Sequence, residues 1–172
     1  NLNHKIGFIK FDIRPENSMI RIANKDGQFK IVTGNQTIEA YNGNTHLAIK
    51  SPWHYPQYEN VFVSTDETTE INLSLVNGRE DFLKIQKKKK MGFYGALTAT
   101  GVTAISYLIR GMIYNKYINA GNMQDADDFR KQTELFNTMT TISAVVSTGT
   151  WGYTLYNYYS ENSLKKELSL DE

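Results

Sequence analysis

The side chains best suited to chemistry are few and scattered. Histidine occurs at His4, His46 and His54, with no carboxylate or second histidine recurring at the spacing of a metal site or a proton relay. These three are read as ordinary surface or strand residues. Asp125, Asp127 and Asp128 superficially suggest calcium, but the run lacks the glycine and the terminal glutamate of a calcium loop. Acids so placed suit the first turn of a helix. Cysteine is absent, which removes disulfides, thiolate ligands and a thiol nucleophile. There is no Gly-rich phosphate loop and no nucleophile elbow, so no catalytic, metal or cofactor site is expected. The remaining chemistry is recognition. Trp53, Tyr55 and Tyr58 lie in and beside a loop bracketed by Pro52 and Pro56, where their rings would either stack on sugars or cover an open end of the fold.

The elements that must position these residues follow from one change of character. A polar, strand-patterned half stops at Lys87, Lys88, Lys89 and Lys90, after which Met91 to Ile109 carries no charge. A second charge-free stretch runs from Phe136 to Tyr159. The 172 residues therefore divide into a β domain at 5–78, a basic linker at 79–90, a two-helix hairpin at 91–163 and a polar tail at 164–172. With 19 basic against 18 acidic residues, nothing electrostatic points to nucleic acid.

In the first half, apolar residues alternate with polar ones over short runs, as in Ile6, Phe8 and Ile13 around Ile9 and Phe11, then Met19, Ile20 and Ile22, Leu47 and Ile49, and Val61 and Val63. Period-two runs separated by Asp26-Gly27, Gly34-Asn35 and Asn42-Gly43 predict about seven antiparallel strands joined by tight turns, closing as a small β-sandwich.

Pro15-Glu16-Asn17-Ser18 followed by Met19-Ile20-Arg21-Ile22 resembles the Pro-Glu-Gly-Ala signature of PEGA domains and the strand after it. Gly43 with Leu47 and Ile49, Tyr58, and Thr69 to Leu75 are similar to later strands of that family. The resemblance spans Ile6 to Val76. Asn17 and Ser18 replace the family's Gly and Ala, and asparagine tolerates the left-handed backbone such a turn can use. What the resemblance implies is an extracytoplasmic bacterial β-sandwich that binds surfaces or neighbouring proteins, without catalytic residues.

The second half is read as an antiparallel transmembrane hairpin, giving an α+β chain overall. Gly95, Ala99 and Thr103 place small residues at four-residue intervals, and Ala144, Thr148 and Gly152 repeat the pattern, with Ser143 and Ser147 on a neighbouring row. Such stripes let helices approach closely in lipid. Threonine and serine dilute the second stretch, so that helix is expected to be shielded by the first and by other subunits. Phe93 and Tyr94 at one end, and Trp151, Tyr158 and Tyr159 at the other, suit headgroup depth on one side of the membrane.

Orientation receives opposed signals. The lysine block, with Lys165 and Lys166, places both hairpin ends in the cytoplasm, or alternatively attracts anionic headgroups. The resemblance, together with a chain that begins at Asn1 without methionine, favours a β domain outside the cytoplasmic membrane after removal of a targeting segment. The expected function is a non-enzymatic membrane-anchored scaffold or accessory subunit of a bacterial envelope assembly. Its partners would be the lipid bilayer and other envelope or membrane proteins in a multi-subunit complex. The alternatives are a cell-wall or polysaccharide-binding module using Trp53, Tyr55 and Tyr58, and a soluble helical stalk.

Overall fold

The structure, a computed structural model, describes residues 6–23 and 29–170. His4 and the Asp26-Gly27 turn lie outside the described residues. Seven strands are followed by two helices: β1 (Ile6–Arg14), β2 (Met19–Ala23), β3 (Phe29–Thr33), β4 (Thr37–Tyr41), β5 (Gly43–Lys50), β6 (Gln57–Val63), β7 (Thr68–Ser74), α1 (Arg79–Ile118) and α2 (Met123–Glu167). The chain is α+β, with two compact units. One combines the segment up to Leu83 with the segment from Asn162 onward, and the other is Lys84–Glu161.

In the first unit, a three-stranded sheet ordered β4-β1-β7 and a four-stranded sheet ordered β3-β2-β5-β6 share one apolar core. Strict alternation along β1 buries Ile9, Phe11 and Ile13 while Phe8, Lys10 and Asp12 face outward. Ile20 and Ile22, Leu47 and Ile49, Val63 and Ile71 complete the core from the other strands. One pairing departs from the antiparallel expectation. β7 runs parallel to β1, with Phe11 opposite Ile71 and Ile13 opposite Leu73. A parallel neighbour needs a long connection, and here the whole four-stranded sheet lies between the two strands in sequence.

Two glycines are dictated by geometry. A Cβ on Gly7 would lie 2.0 Å from the Ser64 carbonyl oxygen, and Gly34 turns the chain from β3 to β4 at φ 80°. The Pro15–Ser18 turn follows a cis Arg14–Pro15 peptide and closes when Ser18 donates both its N–H and its hydroxyl to the Pro15 carbonyl, at 3.1 and 2.5 Å. Asn17 is not among the residues with positive φ, because this closure does not call on the left-handed region.

The basic linker and the polar tail are corrected. Residues 79–90 are the opening turns of α1, since lysine is a good helix former. The Asn77 side chain accepts the Arg79 N–H at 2.8 Å, and Glu80 and Asp81 sit in the first turn. The tail contains the end of α2, and its Leu164 and Leu168 are buried in the first unit. At the opposite end of α2, Asn122 caps the helix by accepting the Asp125 N–H at 2.8 Å. Asp125, Asp127 and Asp128 thus belong to a helix start.

Candidate functional site: an aromatic clasp and a polar-seamed hairpin

Trp53 and Tyr55 are held by the helix ends. The chain leaves β5 through buried Ser51 and reaches Trp53 at φ 67°, a backbone region that costs a bulky residue about 1–3 kcal/mol. The surroundings hold it there. Its N–H donates to the Leu168 carbonyl at 3.2 Å, its carbonyl accepts the Gly78 N–H at 2.8 Å, and its ring meets Phe82 edge-on at 5.5 Å. The Arg79 guanidinium lies 5.8 Å from the same ring.

Gly78 has no room for a side chain, because a Cβ there would come within 2.5 Å of Leu168 Cδ2. Tyr55 donates its hydroxyl to Asp81 Oδ2 at 3.2 Å and its N–H to the Val76 carbonyl at 2.9 Å. Partial burial, then the bond to Asp81 and the charges of Asp81 and Glu167, raise the Tyr55 phenol above its ordinary value. Two of the three aromatic residues therefore cover the end of the sandwich. Tyr58 stands apart in β6, outward-facing, 68% exposed and opposite Ala48.

The second unit is an antiparallel helix pair whose contacts run in constant register. Lys89 pairs with Glu161, Phe93 meets Trp151 with ring centres 6.0 Å apart, and Thr100 and Ser147 share a hydrogen bond of 2.8 Å. Thr103 donates to Ser143 at 3.0 Å, and Arg110 donates to Asn137 at 2.9 Å. Trp151 Nε1 donates to Thr100 at 3.1 Å, so this ring faces the seam from within α2.

The buried set is mostly polar: Ser106, Ser143, Ser147, Thr154, Asn157 and Glu161, with Ala96 and Gly92 allowing close approach. A Cβ on Gly92 would lie 2.8 Å from Thr154 Oγ1. Large apolar side chains point outward, among them Leu97, Val102, Ile105 and Leu108 on α1 and Ile142, Val145 and Leu155 on α2.

The expected packing stripes are displaced. On α1, Thr103 and half-buried Ala99 touch the seam, while Gly95 is exposed at its margin with a would-be Cβ 3.9 Å from Thr150. On α2, Thr148 and Gly152 are exposed, and the Ser143–Ser147 row takes the contact because its hydroxyls have partners across the seam. Lys87, Lys88 and Lys90 are exposed, whereas Lys89 is committed to Glu161. Tyr158 and Tyr159 are exposed and in edge-on contact at 6.0 Å.

α1 is long and apolar enough to cross a membrane, with mean hydropathy 1.3 in its best window, of which 11% is buried. Among the described residues α2 does not reach that mark, because serine and threonine lower its average.

Sequence reasoning missed Phe82, Leu164, Leu168, Asn157 and the Lys89–Glu161 pair. Leu164 and Leu168 had a signal, a four-residue apolar spacing among Lys165, Lys166 and Glu167. Among the described residues no group of three or more His, Cys, Asp or Glu is placed to hold a metal ion. Comparison with models of known protein families, with curated proteins and with solved structures finds no match.

Proposed function

We propose that this chain is a non-catalytic, membrane-anchored scaffold whose hairpin crosses a bacterial envelope membrane twice and holds a PEGA-like β-sandwich, outside the cytoplasmic membrane, for contact with other envelope proteins. The observation that carries this reading is the inverted polarity of the helix pair, with hydroxyls and an ion pair inside and leucine, isoleucine and valine outside. In water that arrangement is costly, and in hydrocarbon it is favourable.

Two further features support a double crossing despite the modest hydropathy of α2. Thr140, Thr141, Thr148, Thr150 and Thr154 each donate to a carbonyl one turn back, at 2.7 to 3.0 Å. Their hydroxyls therefore present no open donor to lipid, and the desolvation cost that a hydropathy scale assigns them falls. The second feature is connectivity. The segments up to Leu83 and from Asn162 belong to one compact unit, so whatever lies between them returns to the side on which it began. If α1 crosses, α2 crosses back. Lys90 and Arg110 delimit the crossing on α1, and the intervening rise of about 30 Å matches the hydrocarbon thickness of a bilayer.

The saccharide reading through the three aromatic residues as one patch has less support, since Tyr55 is bonded to Asp81, Trp53 meets Phe82 edge-on while keeping 37% of its surface exposed, and Tyr58 projects separately from β6.

The natural absence of cysteine makes the test direct. Single cysteines at Asn44→Cys, Gly121→Cys and Ser163→Cys are exposed to a membrane-impermeant maleimide in spheroplasts. Labelling of the first and third from outside, with the second reached only after permeabilisation, is the expected result. Labelling of Asn44→Cys and Gly121→Cys from the same side would remove the double crossing, and protection of Asn44→Cys would reverse the orientation. A well-behaved monomer after mild detergent extraction would count against the scaffold role.

A further inference from the structure

We infer that the outward face of the four-stranded sheet is a binding site for a carboxylate-bearing saccharide, with Tyr58 as the stacking platform and Arg21 as the carboxylate partner. The strand register assembles it. Ile31, Arg21, Ala48 and Tyr58 form one row across β3, β2, β5 and β6, and Phe29, Ala23, His46 and Asn60 form the next. Arg21 and Tyr58 are two strands apart, about 10 Å at the backbone. Between them stands only Ala48, with Ala23 beside it in the adjacent row. The small side chains leave a shallow depression bordered by Arg21, His46, Tyr58 and Asn60.

The polar groups are pre-oriented. The Arg21 guanidinium is stacked on the Phe29 ring, 4.0 Å from its centre, on the β3 side of β2, which restrains the side chain at the margin of the depression opposite Tyr58. His46 Nδ1 is hydrogen bonded to Asn60 Oδ1, which sets the planes of both groups. Glu59 also borders the depression, but it lies on the inward phase of β6 and accepts a hydrogen bond from Gln57 at 3.2 Å.

The choice of occupant follows from shape and charge. A pyranose ring has an apolar face that packs on an exposed aromatic ring, and an equator of hydroxyls that planar donors and acceptors such as His46 and Asn60 satisfy. The outward-facing positions of the four strands carry Arg21 and Lys50 and, among the described residues, neither Asp nor Glu. A carboxylate at the ring's edge would meet an oriented guanidinium, the pairing that arginine makes with two parallel bonds.

This goes beyond the scaffold reading and does not depend on it. The full chain in a phosphatidylcholine nanodisc, which brings no competing sugar headgroup, is titrated calorimetrically with tetragalacturonate and with neutral maltotetraose. Tetragalacturonate is expected to bind at least tenfold more tightly. Tyr58→Ala is expected to weaken it about tenfold, and Arg21→Gln to erase the preference for the acidic sugar. Both side chains are exposed, and an unchanged far-ultraviolet circular dichroism spectrum confirms folding of each variant. Equal affinity for the two tetramers, absence of binding to both, or binding indifferent to Tyr58→Ala would each overturn the assignment. Tetraglutamate bound as tightly as tetragalacturonate would also overturn it, and would assign the face to a protein partner.

Discussion

The two compact units solve the same packing problem with opposite chemistry. The sandwich buries isoleucine, valine and phenylalanine and exposes its charges, whereas the helix pair buries serine, threonine, asparagine and glutamate and exposes its leucines and isoleucines. A water-soluble unit is held by removal of apolar surface from water. A pair of helices placed in lipid, as proposed for this one, would gain nothing that way and would be held by close backbone approach and by hydrogen bonds that have no competitor in hydrocarbon. The same small hydroxylated residues that would weaken a sandwich core are thus well suited to the hairpin seam.

The largest effect expected from challenging this contrast is in the sandwich core. Phe11→Ala removes a ring that is 2% exposed and is expected to cost about 3–5 kcal/mol in chemical denaturation. An equivalent loss from Val145→Ala on the hairpin exterior would contradict the contrast. Next is Val102→Asp, near the middle of the uncharged stretch. If α1 crosses the membrane as proposed, a carboxylate there is expected to reduce membrane insertion by about 3 kcal/mol, read in a glycosylation-based insertion assay. A soluble stalk would tolerate the same change within about 0.5 kcal/mol.

A smaller loss, about 2 kcal/mol, is expected from Lys89→Met, which removes one cation beside the buried Glu161 carboxylate, Lys89 itself being partly exposed. The double variant Lys89→Met with Glu161→Leu should recover most of that loss in thermal unfolding, since an apolar pair of similar volume suits the site. Failure to recover would mean that the pair does more than satisfy itself.

The smallest effect lies within the first unit. Because the folded-state value of Tyr55 is raised, its contribution to stability is fully present below the unfolded phenol's pKa, near 10, and is lost as pH rises through the higher folded value. Tyr55→Phe should therefore flatten the alkaline end of the stability profile of the sandwich while leaving it unchanged at neutral pH apart from the lost Asp81 bond.

Much of the sandwich was legible because a period of two leaves an unambiguous trace. Alternation marked the runs that hold Ile9, Phe11, Ile13, Ile20, Ile22, Leu47 and Ile49, all buried, but the same runs include Ile6, Phe8 and Met19, which face outward. The parallel β1–β7 pair was not legible, because alternation specifies which face is buried and says nothing of neighbour or direction. The helix pair was visible in its uncharged stretches; of the row Ala144, Thr148 and Gly152, Ala144 is half-buried and the other two are exposed, while Ser143 and Ser147 on the neighbouring row make the hydrogen bonds across the seam. Residue size alone does not choose between adjacent rows of a helix, and the choice rests on hydroxyl pairing across the interface. The aromatic loop was recognised as a feature. That the Trp53 ring would meet Phe82 and the Tyr55 hydroxyl would bond to Asp81 depended on contacts between segments far apart in sequence, which no local pattern encodes.

The position of Leu164 and Leu168 in chain order has a consequence for biogenesis. The residues that close the sandwich beneath Trp53 and Gly78 are made after all of α1 and nearly all of α2. During synthesis the seven strands emerge first, yet the domain lacks its last wall until both helices have been produced and the chain has come back. Completion of the domain therefore reports completion of the hairpin. A nascent chain stalled within the helices carries an open, apolar-edged sandwich, the kind of surface that chaperones and proteases recognise.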